Sequence, residues 1–553
     1  MPRYRLPRAI LLVTLALTLS TSAATLSFEE GATRFLQEAT KDKSSGVAVL
    51  VARDGKILFQ GGFGWADIAK RTPITPETKF RIGSITKQFT AAAVLRLAEQ
   101  GKLSLGDPLA RYFPGLPHGR EVTLRHLLTH TSGLHSYTDK PEFLGRVTKA
   151  IEPRKLIEWF QDDPPDFAPG AGFHYNNSAY FLLGEIVAKV SGKPLGRYLR
   201  ESFFAPLGMK DTGIYVNNAP PSAIATGYSF ADGKLAPALD WDMSWAGGAG
   251  ALYSTVGDLF RWNEALFDGR VLTAASFKAA TTPVELPANV DGMKYGYGLV
   301  MFEVKGLPAI GHGGGLNGWS SDLLRVPGQH CTIVVLGNAL PPPPGLAPGV
   351  ISRALAEKIL GDEIQELPPI TEDSSVNPKS FTDYVGRYDY QGAVMSVTVE
   401  GDALFSQLTG QQKFRIFPKA KDEFFWKITD AQVVFLRDAK GQVNAARHSQ
   451  NGSTFRAPKL AEDAVKLTQA QLDVFVGQYQ YGPGAVMTIS RDGDQLMAQL
   501  TGQPAFPIFP KSATEFEWRV VAATVEFVKG KDGKVTKAIH HQNGTTFDAP
   551  KIK

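Results

Sequence analysis

The C-terminal part of the chain is written twice. Gly392-Ala-Val-Met395 recurs as Gly484-Ala-Val-Met487, Gln407-Leu-Thr-Gly410 as Gln499-Leu-Thr-Gly502, and Ile416-Phe-Pro-Lys419 as Ile508-Phe-Pro-Lys511, each 92 residues on. Trp426 pairs with Trp518, Phe435 with Phe527, and Asn451-Gly452 with Asn543-Gly544 at the same offset. Each copy is about 85 residues of short alternating strands and turn pairs, which predicts a small β-barrel or sandwich. Two copies are too few for a solenoid, so they read as tandem units spanning residues 375–460 and 466–553. Two linkers, 362–377 and 458–467, bracket the first copy and leave residues 25–362 for a separate unit. Phe405, Phe414, Phe417, Trp426 and Trp518 fall in strand patterns and are expected in the barrel cores. The repeats hold no cluster of carboxylates, histidines or cysteines that suggests chemistry. His448, His540 and His541 are expected at the surface or hydrogen-bonded.

At 553 residues the chain is too long for one core. Residues 1–24 read as a secretory signal: Arg3, Arg5 and Arg8 precede an apolar run over 9–19 and small-residue cleavage sites at Ala23 and Ala24. That run is shorter than the roughly 20 residues needed to span a bilayer, and no later segment looks transmembrane. An exported, periplasmic or secreted protein is therefore expected, with retention of the segment as an anchor as the alternative. Losing three arginines and no acid from 1–24 lowers the formal charge from +5 to +2. A near-neutral mature chain gives no reason to expect a nucleic-acid partner. The one cysteine, Cys331, excludes an intramolecular disulfide. It sits in an apolar strand pattern over 331–336, where a nucleophilic role is not expected.

Between these segments the hydrophobic period changes twice. Residues 46–51 and 57–59 flank Asp54-Gly55, a hairpin signal. Residues 84–100 form an almost continuously apolar helix stopped by Gly101. Helices and loops dominate 123–279. Strands return at 295–303, 309–312, 320–326 and 331–336, and a helix over 350–360 closes the unit. Strands at both ends around a helical middle predict an α+β fold: one antiparallel sheet flanked by helices, with a helical insert.

Three motifs carry chemistry in this frame. Ser84-Ile-Thr-Lys87 puts an amine one helical turn from a hydroxyl at a helix start. Lys87 can take the serine proton if desolvation lowers its pKa, and Tyr175 can do so as a phenolate beside Lys87 or His312. Tyr175-Asn-Asn177 precedes a helix over 179–190, with Asn177-Ser178 expected at its cap; the Asn177 amide can orient Lys87 and substrate. His312 ends a strand and is followed by Gly313-Gly-Gly315, so Gly314 and Gly315 would let a substrate backbone approach. The amides of Ser84 and Gly315 could form an oxyanion hole. Ser84 as a plain helix cap is the structural alternative. His126-Leu-Leu-Thr-His130 has the spacing of a metal pair but lacks the adjacent glutamate of a zinc protease, so no metal is expected. Ile82 and Thr86 occupy the positions that glycines take in a nucleophile elbow, which excludes an ordinary α/β-hydrolase.

Together with 80–84, 124–134, 180–184 and 248–255, these motifs resemble the penicillin-recognising serine hydrolases, a superfamily of class C β-lactamases, D-alanyl-D-alanine carboxypeptidases, D-aminopeptidases and esterases. The resemblance implies the β-lactamase/transpeptidase-like fold, an acyl-enzyme on Ser84, proton relay by Tyr175, and no cofactor. Histidine at 312, where class C β-lactamases have lysine, is similar to the D-aminopeptidase and esterase branches. The first expectation is a peptidase or amidase on D-amino-acid-containing peptides, taking a small peptide, amide or ester substrate. A carboxylesterase or class C-like β-lactamase, or a non-catalytic sensor of cell-wall peptides or β-lactams, are the alternatives.

Overall fold

The Asp54-Gly55 turn has both residues in the left-handed region, at φ 52° and 72°, and joins β1 (Val47–Arg53) to β2 (Lys56–Phe63). The computed structural model describes residues 27–40, 45–116, 118–140, 142–231, 234–287, 293–364, 370–390, 394–408, 413–428, 431–450, 453–460, 467–482, 485–501, 505–518, 523–530, 532–542 and 545–553. The expected leader, the boundaries at 25 and 466, and the repeat positions Gly392, Gly410, Asn451-Gly452, Gly484, Gly502 and Asn543-Gly544 lie outside the described residues.

Far along the chain, β3 (Val300–Val304), β4 (Leu307–Leu316), β5 (Trp319–Val326) and β6 (Cys331–Gly337) complete an antiparallel sheet in the order β3-β4-β5-β6-β1-β2. Val47 lies opposite Gly337 and Arg53 opposite Cys331, so the two ends of this region close the sheet. Alternate residues serve opposite faces. Val47, Val49 and Val51 face a core shared with α1 (Phe28–Thr40), whereas Ala48, Leu50 and Ala52 face the larger helical side. β4 runs longer than the expected 309–312, because its glycines continue the ladder with β5. β3 is shorter than expected: Tyr295 makes only an isolated bridge to Val300.

On the larger side lies α2 (Thr86–Glu99), buried at every position from Thr86 to Leu95 and at Leu97. It stops as the sequence requires. Gly101 sits at φ 66°, its amide bonds to Ala98 O at 2.9 Å, and that of Lys102 to Leu97 O at 3.0 Å. Next to α2 packs α3 (Asn177–Ser191), ended by Gly192 at φ 70°. Further on, α4 (Val256–Phe267) joins the same core, and α5 (Pro348–Leu360) covers the other sheet face beside α1. The fold is thus the expected α+β arrangement. Cys331 is buried against α5's side, and burial raises its thiol to about 11, so it is unreactive. No helix among the described residues is long and apolar enough to cross a membrane.

Residues 386–458 and 477–550 each form an eight-stranded antiparallel meander. Each nearly closes on itself: Tyr388 bridges Lys459, and Tyr479 bridges Lys551. Met395, Leu404, Ile416 and Phe435 fill the first barrel; Met487, Leu496, Ile508 and Phe527 fill the second at the same offset. Trp426 and Trp518 are core residues as expected. Phe405 and Phe417 are corrections. They alternate with Leu404 and Ile416, so they point outward and are half-buried, Phe417 beneath Arg415 and Lys427.

Glu363 pairs with Arg53 of β1, and Ile364 packs on the core under α5. A chain ending after Ile364 is therefore expected to fold and melt cooperatively by circular dichroism. A chain ending at Ala347 strips Ile351, Leu355 and Leu360 from the sheet, each worth roughly 1.5–3 kcal/mol of burial. It should fail to fold, since total stability is only about 5–15 kcal/mol. A cooperative melt from the shorter chain would contradict this account of the core.

Candidate active site

Ser84 is delivered by a short strand, Phe80–Arg81, paired antiparallel with Leu252–Ser254. The chain then turns through Gly83 at φ 50° into a 3-10 turn that runs straight into α2. Ile82 and Ile85 hold the capping positions of the turn and of α2, and neither start has a side-chain cap. The Ser84 hydroxyl is thus not spent on capping. The neighbouring Thr86 hydroxyl accepts a hydrogen bond from Leu252 N at 3.1 Å, tying the turn to the segment behind it.

Lys87 is fully buried, and its Nζ meets three oxygens: Ser84 Oγ at 3.1 Å, Asn177 Oδ1 at 2.8 Å and Ala249 O at 2.9 Å. Burial holds its amine well below the ordinary lysine range. The contacts suit that neutral form. Two N–H groups donate to the Asn177 and Ala249 carbonyls, which can only accept, and the lone pair is left for the Ser84 hydroxyl. The face of the Tyr175 ring lies beside the same nitrogen, 4.7 Å from its centroid.

Asn177 was expected in the cap of α3, but the cap is Asn176, whose Oδ1 accepts from Ala179 N at 2.7 Å. Asn177 is the first helical residue, and its amide is free to span the site. Its Nδ2 donates to Thr138 Oγ1 at 3.0 Å while its backbone N–H donates to Ser136 Oγ at 3.2 Å. Sequence reasoning missed the 136–138 segment. No periodicity marks it, and its partners lie about forty residues on. It also missed Ala249, because a backbone acceptor leaves no side-chain signature.

The Tyr175 hydroxyl is buried with no regular hydrogen bond, and Ser84 is the group close enough to act on it. Burial pushes its pKa up, and Ser84 is the one group that pulls it down. His130 Nδ1 accepts from Asn176 N at 3.0 Å, and its ring lies 4.4 Å from that of Tyr175. His126 serves its own helix by accepting from Thr123 N at 3.3 Å. No metal-binding group of three or more such side chains exists among the described residues.

His312 is a candidate to supply a hydrogen bond or a positive charge to substrate and Tyr175; it is 5% exposed and burial drives its pKa down to about 3, which favours the uncharged alternative. The ring is neutral. Its Nδ1–H donates to Gly313 O at 2.5 Å, which leaves Nε2 to accept the Tyr295 hydroxyl at 3.0 Å. It lies behind Tyr175, ring centroids 6.1 Å apart. A Cβ on Gly314 would stand 2.0 Å from Ile82 O and 2.3 Å from Ser321 Oγ, so the chain's own packing already requires glycine. Ser321 Oγ donates to that same Ile82 O at 2.9 Å. A Cβ on Gly83, which sequence reasoning passed over, would meet Gly315 N at 2.8 Å. β4 and the Ser84 turn therefore touch backbone to backbone. β3 covers only Leu307–Gly311, so among the described strands the 312–316 edge faces the cleft.

Ser84 opens onto a pocket of about 70 Å³. Ser84, Asn177 and Gly315 line one side. Tyr137, Phe143, Trp241 and Trp245 line the other, with Trp241 and Trp245 edge-on to Phe143 at 5.2 and 5.8 Å. The Ser84 hydroxyl and the Gly315 strand edge meet this space, and the Lys87 amine lies buried 3.1 Å from the serine.

Residues 32–358 match the family described as Beta-lactamase, and residues 371–456 and 461–551 each match the Domain of unknown function DUF3471. Penicillin-binding protein 4* of Bacillus subtilis (strain 168) is 29% identical over 412 residues, 70% of this chain and 89% of its own. A D-aminopeptidase of Gluconobacter oxydans (strain 621H) is 29% identical over 300 residues, 53% of this chain and 55% of its own. The D-amino acid amidase of Ochrobactrum anthropi SV3, solved with D-phenylalanine, superposes with a TM-score of 0.53 at 28% identity. That likeness covers 59% of this chain and 97% of the amidase. The octameric penicillin-binding protein homologue of Pyrococcus abyssi shares the fold at 24% identity, with a TM-score of 0.55 over 85% of this chain and 97% of that one.

The two glycines of β4 should respond differently to alanine. At Gly315 an added Cβ meets only Leu340 Cδ2 at 3.3 Å, which a leucine can yield; at Gly314 it meets backbone. Gly314→Ala should slow covalent labelling of Ser84 by a fluorophosphonate at least about 100-fold, since prying β4 from the turn misplaces the site. Gly315→Ala should slow it less than about tenfold. Equal rates for both would remove the β4 contact from the account of the site.

Proposed function

This chain belongs to the beta-lactamase family and is a serine hydrolase, and on that premise we propose that it is an exported peptidase or amidase that releases the amine from D-aminoacyl amides and short peptides. The observation that carries the mechanism is the 3.1 Å approach of a buried, depressed-pKa Lys87 amine to Ser84 Oγ. As Ser84 Oγ bonds to the substrate carbonyl carbon, its proton passes to Lys87 Nζ. The carbonyl oxygen becomes an oxyanion that the Ser84 and Gly315 amides receive. The C–N bond then breaks. The departing nitrogen takes a proton from the Tyr175 hydroxyl, which is restored from Lys87. Water repeats the sequence on the acyl-enzyme and returns Ser84.

Of the two bases open to the sequence, the geometry favours Lys87. Burial disfavours both a Tyr175 phenolate and a Lys87 ammonium, but a neutral lysine is a base and a neutral tyrosine is not. The choice of substrate rests on charge. C-terminal peptides and β-lactams carry a carboxylate, and among the described residues no arginine or lysine lines the pocket while His312 is neutral. An amide or peptide read from its amine side needs no such cation. The D-aminopeptidase and D-amino acid amidase relatives support that direction and the D configuration. The basic, apolar, small-residue order of residues 1–24 supports export.

The test joins labelling to turnover. Ser84→Ala should abolish both fluorophosphonate labelling and hydrolysis of D-phenylalanine amide. Lys87→Ala should slow both by at least about 100-fold, the scale of general-base catalysis. In the wild type, kcat/KM should fall as pH drops through the depressed Lys87 pKa, because the ammonium cannot accept the serine proton; it should be independent of pH just above it. His312→Gln should leave the position of that limb unchanged, since a neutral ring contributes no titration. Hydrolysis of L-amides alone, or label on another residue, would overturn the reading.

A further inference from the structure

One wall of the pocket is a loop, 240–245, fixed from several directions. The buried Arg81 donates to Trp241 O at 3.1 Å and to Asp240 Oδ1 at 2.6 Å. Asn217 Nδ2 donates to Asp240 Oδ2 at 3.0 Å and to Trp241 O at 2.9 Å, and its Oδ1 accepts from Met243 N at 2.9 Å. Asp242 N donates to Val147 O at 2.8 Å, and Trp245 Nε1 to Lys149 O at 2.7 Å. A loop held this way presents its side chains in fixed places.

The two carboxylates of this loop have different fates. Asp240 is paired with Arg81 and is not among the residues lining the pocket. Asp242 lines the pocket together with Ser84 and is the one acidic or basic residue that does so among the described residues. Its Oδ1 accepts from Ser244 N at 2.9 Å, and no lysine, arginine or histidine among the described residues pairs with it. A half-buried carboxylate without a counter-ion, beside the rings of Trp241 and Trp245, is matched by a cation carried in by the substrate.

Building on the proposed amidase reading, we propose that Asp242 determines specificity by receiving the α-ammonium of an aminoacyl substrate whose apolar side chain lies against the Trp241–Trp245 wall. N-blocked and desamino substrates then lose a charge-assisted hydrogen bond, and anionic ones are repelled.

Two measurements on the full chain separate this inference from the reading beneath it. The first is protection of Ser84 from a fluorophosphonate by 2-phenylethylamine against the neutral 2-phenylethanol, which needs no turnover. The ammonium should protect at about tenfold lower concentration or better in the wild type. Asp242→Asn, which keeps the oxygen that accepts Ser244 N, should bring the ratio to near one, and Asp242→Glu should restore part of it. The second is the ratio of kcat/KM for D-phenylalanine amide to that for its N-acetyl derivative, expected at about ten or more and near one in Asp242→Asn. Equal protection by the two ligands in the wild type overturns the role of Asp242, whatever the variants do. Preferential protection with no amide hydrolysed sustains it and overturns the amidase reading alone.

Discussion

A single nitrogen holds the site together. Lys87 Nζ is where the first turn of α2, the first residue of α3 and the carbonyl of Ala249 meet. Taking an amine out of water is costly unless its hydrogen bonds are made or its charge is given up. Here both occur, and each of the three segments is thereby fixed relative to the others. Burial supplies the base and the assembly at once. That is why α2 is buried on nearly all sides although a surface helix would need only one apolar face.

The second constraint is backbone contact. Gly83 and Gly314 exist so that the Ser84 turn and β4 can approach with no side chain between them. The same approach brings Ser84 and Gly315 to one pocket, and two missing methyl groups allow it. The Ser321 hydroxyl fastens the contact from β5.

Around this hard centre the pocket wall is built differently. Loop 240–245 is irregular, and side chains rather than a ladder hold it: Arg81 and Asn217 bind it from the nucleophile's strand and from the insert. Arg81 lies three residues before Ser84, so the wall and the nucleophile share one anchor. The chemistry rests on regular elements while the substrate-facing surface rests on a pinned loop, and specificity can change without disturbing the amine. The barrels need no such device. Each fills its interior with the same apolar positions, and each secures its first strand through a tyrosine, Tyr388 to Tyr384 O and Tyr479 to Phe475 O, both at 2.7 Å.

The sequence by itself determined the elements and the order of the parts. The period-two pattern of 47–51 and 331–336, the Asp54-Gly55 turn and the Gly101 stop are local, since side-chain alternation and left-handed φ depend on neighbouring residues alone. The barrels were legible because repetition is visible without structure. The three motifs named Ser84, Lys87, Tyr175 and Asn177, and the structure brings all four to one place. Only tertiary structure decided what state those groups are in. That His312 is neutral and faces Tyr295, that Asn176 caps α3 and releases Asn177, and that Ala249 completes the Lys87 shell depend on contacts between segments up to 162 residues apart. Desolvation and close packing belong to the assembled environment. A motif fixes which groups are present, and burial fixes which of them carry a proton.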